Sequence, residues 1–294
     1  MKRLLLSLAL STASVLIAPS SFAGPGESDG NTANDCNTSS GSCLVTPTKF
    51  STKVYRVLLC TSNPMASPAT SPDWSSNGCV DVYNSSSGEE TGDIFGTTGA
   101  TLSSQYITLP TAGSYTHIAA LLDVNFKAGS HHMVYEAAGD PINNKRYYST
   151  SSGGAAEGTA SQVEMMSGSF QTLAPQIACT SAYTAANSAD RTGLEGNGFQ
   201  GRLLDSSFEM TTTGSGNINN QTAICNNVKY LLSIVQRNTT IDSSTTGIHL
   251  KILADKGVVR ADQGSNDDGV ISAFTTHGHS ITVDVAPITS STQR

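Results

Sequence analysis

Charge is scarce in this chain. Asp, Glu, Lys and Arg make up 13% of its 294 residues, about half the ~25% usual in soluble domains. Aromatic residues are equally thin at 6%, with one tryptophan, Trp74. Past residue 23 no stretch approaches the ~18 consecutive apolar residues a membrane helix needs, so no span is expected once the leader is removed. Windows of 11 or more residues lack a 3.6-residue apolar period, apart from 181–189, which reads as a short helix. There is no C-x-x-C pair, which weakens a zinc reading of the cysteines. No glycine-rich phosphate loop with its lysine is present.

Hydrolase chemistry finds equally little to stand on. The letters G-x-S-x-G occur at Gly26–Gly30, but in a polar tail without the strand and helix that make a nucleophile elbow. Glycoside cleavage needs two carboxylates set by the fold. Asp81, Asp123, Glu136, Glu209 and Asp284 lie near strand segments, and no pair among them stands out. The reading therefore leans away from an enzyme.

What the chain does have begins at its N-terminus. Lys2 and Arg3 precede an apolar run from Leu4 to Ile17, and Ser21-Phe22-Ala23 offers small residues for cleavage. Residues 1–23 read as a secretory signal peptide, so the mature chain is expected to start at Gly24 and to be secreted: extracellular, on the cell surface or in the periplasm. Loss of Lys2 and Arg3 leaves 14 basic against 23 acidic residues, a net charge of −9. That sign repels phosphate backbones and anionic lipid, so nucleic acid is not an expected partner.

Six cysteines in an oxidising compartment read as disulfides. Proximity in sequence suggests Cys36–Cys43, Cys60–Cys79 and Cys179–Cys225 among fifteen formal connectivities. The middle pair flanks a segment carrying Pro64, Pro68 and Pro72, which neither helix nor central strand accepts. A bridge there would turn a floppy excursion into a fixed protrusion.

The pattern is that of strands. KVYRVLLC (53–60), CVDVY (79–83), SYTHIAALLDV (114–124), VKYLLSIVQ (228–236), GIHLKILA (247–254) and SITVDVAP (280–287) are rich in β-branched and aromatic residues or alternate cleanly. VKYLLSIVQ has apolar residues on both faces, as a central strand does. SQYITLP (104–110) is expected to form a hairpin with 114–124 through Thr111-Ala112-Gly113, and 131–137 another with 145–150. Leu109-Pro110, Gly113 and Tyr115 fit a turn common in secreted β-sandwiches, where a strand ends, turns on Gly and restarts with Tyr. The expected fold is an all-β antiparallel β-sandwich, Ig-like or jelly-roll-like, as one large or two abutting sandwiches. Its expected parts are a flexible polar lead-in at 24–48, a β-sandwich region at 49–150, a Gly/Ser/Thr-rich excursion at 151–222 and a closing strand region at 223–294.

Three constellations could bind something. Trp74 beside Asp73 on the proline-rich loop could stack on a sugar ring, or fold back as a lid over the core. Asp262, Asn266, Asp267 and Asp268 offer the oxygen donors calcium takes, without the EF-hand's closing Glu, and the same letters also describe an acidic turn. His277 and His279 would share one face if the following strand extended backward, with His131-His132 as further ligands, giving a copper or zinc site. The leading expectation is a secreted non-enzymatic extracellular or cell-surface protein, structural or adhesive, with self-assembly as a subunit of a surface structure among its expected partnerships. The alternative is a calcium- or saccharide-binding module with an extracellular polysaccharide as partner.

Overall fold

A computed structural model describes residues 42–66, 70–94, 102–134, 145–169, 183–184, 200–210, 227–254, 259–263, 271–276 and 281–289. Strands dominate them, as the two-residue alternation requires. In chain order they are β1 (Ser42–Val45), β2 (Lys49–Cys60), β3 (Val80–Glu90), β4 (Gly113–Gly129), β5 (His131–Val134), β6 (Lys145–Ser149), β7 (Ala155–Glu157), β8 (Met166–Ser169), β9 (Tyr183–Thr184), β10 (Gln200–Leu204), β11 (Tyr230–Ile241), β12 (Thr245–Ala254), β13 (Val259–Gln263), β14 (Ile271–Thr276) and β15 (Ile281–Thr289).

The largest sheet runs β3-β2-β4-β11-β10-β9, with β8 paired to the far end of β4. Every pairing is antiparallel. β12 and β15 form a two-stranded ribbon, β1-β13-β14 a second small sheet and β5-β6-β7 a third. The 131–137 and 145–150 segments do pair, as β5 and β6.

Both faces of the large sheet are apolar. On one, Val54, Val57, Leu59, Ile118, Ala120, Leu122, Leu231 and Val235 pack with Ile248, Leu250 and Ile252 of β12 and Val283 and Val285 of β15. Phe50 and Phe126 stack there with centroids 5.7 Å apart, and Phe274 of β14 joins them. On the other face Tyr55, Leu58, Cys60, Ala119, Leu121, Leu204, Tyr230, Leu232 and Ile234 form a second cluster with Met65 of the 61–79 segment. β4 is thus buried on both sides, where alternation had suggested a single inner face. At Gly129 its backbone comes so close to that of Glu164 that a Cβ would sit 2.3 Å from the carbonyl oxygen, a contact only glycine allows.

Three local expectations are corrected. Residues 104–110 are not the first arm of a hairpin. Ser104–Tyr106 is a 3-10 turn, Ile107 bridges Tyr83, and Thr108 donates to the Val82 carbonyl at 3.1 Å. Tyr106 packs edge-on against the buried Tyr83 at 6.0 Å, so a contact remote in sequence captures the segment. The expected helix at 181–189 contains the strand β9, whose two residues pair with β10; tertiary pairing overrides so weak a period. The expected lead-in to residue 48 ends sooner, because Ser42–Val45 pairs with β13. Of the expected Gly-Tyr turn, the strand ending at Pro110 is absent, while β4 does start at Gly113; Tyr115 is buried, and its hydroxyl donates to the Thr111 carbonyl at 2.8 Å.

Candidate functional site

Cys60 ends β2 and Cys79 precedes β3, and the two are disulfide-bonded with Cα atoms 4.0 Å apart. Neighbouring antiparallel strand ends bring them this close. The bond closes the 61–79 segment into a strap, and the strap does not protrude as expected. It lies back across the second face of the large sheet, with Met65 fully buried and Trp74 packed against that cluster.

Hydrogen bonds fix its course. At its base Thr61 N–H donates to the Asn77 carbonyl at 3.0 Å, and the Thr116 hydroxyl of β4 donates to the Thr61 carbonyl at 2.7 Å. Gly78 holds φ +57°, and a Cβ there would lie 2.6 Å from the Thr61 hydroxyl, so the turn into Cys79 calls for glycine. Farther out, Asn63 donates to the Gln200 side chain of β10 at 2.9 Å, and Met210 N–H donates to the Thr70 carbonyl at 2.7 Å. The strap therefore reaches from the β2/β3 corner to β10, across β4 and β11.

Asp73 and Trp74 serve this geometry. The Asp73 carboxylate accepts from Ser76 N–H at 3.0 Å and from the Ser75 hydroxyl at 3.2 Å. Those bonds to Ser76 and Ser75 hold its carboxyl below the usual carboxylate range. Trp74 stacks beneath the Arg56 guanidinium, 5.3 Å from its ring centroid, while Arg56 grips Asp81 with two bonds of 2.9 and 3.0 Å. Trp74 is partly buried against the second cluster. Sequence reading missed Arg56, itself paired with Asp81, as its partner; register shifts in the β2–β3 pairing on either side of Arg56 blur that neighbourhood in the sequence.

Beside the strap lies an aromatic row. Tyr55 meets Tyr230 edge-on at 5.0 Å, Tyr230 stacks on Phe208 at 5.3 Å, and Lys229 Nζ sits 4.9 Å above Tyr230. The Tyr55 hydroxyl donates to Asp123 at 3.1 Å; burial and then that carboxylate push its pKa up to about 12. Phe208 adopts φ +64°, unusual for a bulky residue, in a turn held by the Asp205 carboxylate on the N–H groups of Ser207 and Glu209.

The metal expectations meet the structure at Asp262 and at His131 and His132, which lie in β5 with His131 buried. Asp262 lies in β13, where its carboxylate accepts from Arg260 Nε at 2.6 Å, so an internal cation already neutralises it. Asn266, Asp267, Asp268, His277 and His279 lie outside the described residues. Among the described residues no three His, Cys, Asp or Glu side chains gather into a metal-holding group. Cys36, Cys179 and Cys225 lie outside them as well, as do residues 1–23, expected to be a signal peptide, and Glu136; Cys43 is in β1, but its side chain is not described. Of the other candidate carboxylates, Asp81 pairs with Arg56 and Asp284 with Arg237, each at 2.9 Å. No helix among the described residues is long and apolar enough to cross a membrane. Compared with family models, curated proteins and solved structures, the chain matches none, and its own residues carry the functional argument.

Proposed function

We infer that this chain is an exported structural or adhesive protein of the cell surface, with an antiparallel β-sandwich as its rigid body and no catalytic role. The single observation that carries the reading is the disulfide-closed strap laid across the sheet. The longest proline-rich segment, the only tryptophan and the Cys60–Cys79 bridge all serve to seal one face, a use of sequence suited to persistence outside the reducing cytoplasm. The β12–β15 ribbon covering the opposite face supports the sandwich. Low charge and abundant hydroxyl side chains suit a surface that meets other surfaces without strong fields. β12 has ten residues and pairs on one edge with β15. Its other edge carries no strand among the described residues, which suits addition of a neighbour's strand during assembly.

The test is to express the full chain in a host with an export pathway, fractionate the envelope, and weigh the mature product by sedimentation over a wide concentration range. Envelope association or concentration-dependent oligomers are the expected result. A monomer at every concentration, absent from the envelope, would overturn the reading.

A further inference from the structure

Arg202 sits at the centre of β10, opposite Leu232 of β11. Alternation puts it on the strap face, in line with Leu204 of the second cluster. It is 6% exposed, and its Nε is buried without a hydrogen-bond partner among the described residues. Arginine is almost never this buried unless paired. Burial lowers its pKa from the ordinary value, and no carboxylate among the described residues offsets the desolvation. The other arginine of this face, Arg56, is committed to Asp81 and Trp74. The two outer ties of the strap straddle Arg202: Asn63 reaches Gln200 two residues before it, and Thr70 holds Met210, which bridges Leu204 two residues after it.

A guanidinium whose Nε lacks a partner in a low-dielectric setting is costly to bury, and an anion that pairs with it recovers much of that cost. We propose that Arg202 is the recognition group of a carboxylate-binding site beside the strap, between its ties at Gln200 and Leu204. A carboxylate fits better than a phosphate or sulfate. Its single charge matches one guanidinium, and its two oxygens match the planar fork. A dianion would leave a net negative charge buried in a chain that is already acidic. The carboxylate is supplied either by a small molecule or by an acidic group of a second copy of this chain.

The test is thermal melting and Trp74 emission of the oxidised mature protein, titrated with acetate and succinate at constant ionic strength in low-chloride buffer. Phosphate and sulfate run alongside. In parallel, sedimentation measures self-association with and without acetate. A small-molecule source predicts that a carboxylate at hundredfold excess over Kd raises Tm by about 5 °C, with mass unchanged. A second-copy source predicts oligomers that acetate dissociates. In both cases R202M, which keeps an unbranched apolar stem, folds with a Tm at or above wild type in ligand-free buffer and loses the response. R202K keeps the charge without the fork and responds at least tenfold more weakly. The proposal falls if acetate and succinate shift R202M as they shift wild type, if phosphate or sulfate outcompetes them, or if wild type shows neither response.

Discussion

The two faces of the large sheet are covered in opposite ways. One carries the β12–β15 ribbon, regular strands whose inward residues Ile248, Leu250, Ile252, Val283 and Val285 alternate with polar neighbours. The other carries the strap, which has no strand among its described residues and contributes few apolar side chains. Met65 and Trp74 do most of its packing, and a disulfide and scattered hydrogen bonds hold it in place. A ribbon is held by area removed from water, so its loss is loss of the core. A strap is held by ties, so it can come away while the sheet persists. The two covers should therefore fail differently.

The largest effect is expected on the ribbon side. Phe126→Ala removes a ring that is 3% exposed and stacked on Phe50. It should cost about 3–5 kcal/mol, with far-UV circular dichroism and Trp74 emission lost in one transition. A strap that melts before the sheet in this variant would contradict the expectation.

Replacing Cys60 and Cys79 together by serine removes the tie that shortens the unfolded strap. The bridge spans 19 residues and should be worth about 3 kcal/mol in the loop-entropy account. Here the loss should be local first. Trp74 emission shifts red and a hydrophobic dye binds the uncovered Leu58, Leu121 and Leu232, while the strand signal persists. Coincident loss of both signals would mean that strap and sheet form one cooperative unit.

Arg56→Met is expected to do less. The Arg56 and Asp81 side chains are 22% and 31% exposed, so solvent screens the pair. Its loss together with the stacking on Trp74 should cost about 1 kcal/mol. The effect should register in Trp74 emission more than in sheet melting, since the pair steadies the strap and not the ribbon.

The same contrast explains how much the amino acids reveal in advance. β11, β12 and β15 are legible because a buried strand writes its surroundings into every second side chain. Tyr230 to Val235 are buried on both faces, and that shows as an apolar run broken only by Ser233. Partners are harder to read: β12 joins β15 and β1 joins β13, and nothing local in Ser42–Val45 distinguishes it from tail. The Ser104–Tyr106 turn was misread because its conformation is set by Tyr83, far back in the chain. The disulfide was legible from spacing, yet the direction of its loop was not, since Asn63–Gln200 and Thr70–Met210 are contacts between distant segments. Arg202 carries no signal at all in its local sequence. Its interest lies in what the strap and the sheet deny it.

Acid separates the covers most gently. His117 on β4 pairs in register with Cys60 at the base of the strap, and His249 lies on β12 of the ribbon. Burial lowers the pKa of both, aided at His249 by Lys251 and opposed by Asp284. Beside His117, the Thr116 hydroxyl gives its proton to the Thr61 carbonyl, so at 2.8 Å it accepts from Nδ1–H of the ring. The unfolded chain takes up these protons from pH 6.5 downward, while the folded chain resists until its lower values are reached. Below pH 6.5 the unfolded state therefore binds more protons, and stability falls as pH falls through that window. A second loss follows as Glu164, Asp73 and Asp242, held low by their hydrogen bonds, protonate below their ordinary values of 4.5 and 3.8. Melting between pH 8 and pH 3 should show both steps. His117→Gln should flatten the first step where Trp74 emission reports it, and His249→Gln where strand circular dichroism reports it. A Tm unchanged from pH 8 to pH 5 in the wild type would show that neither cover holds its histidine away from water.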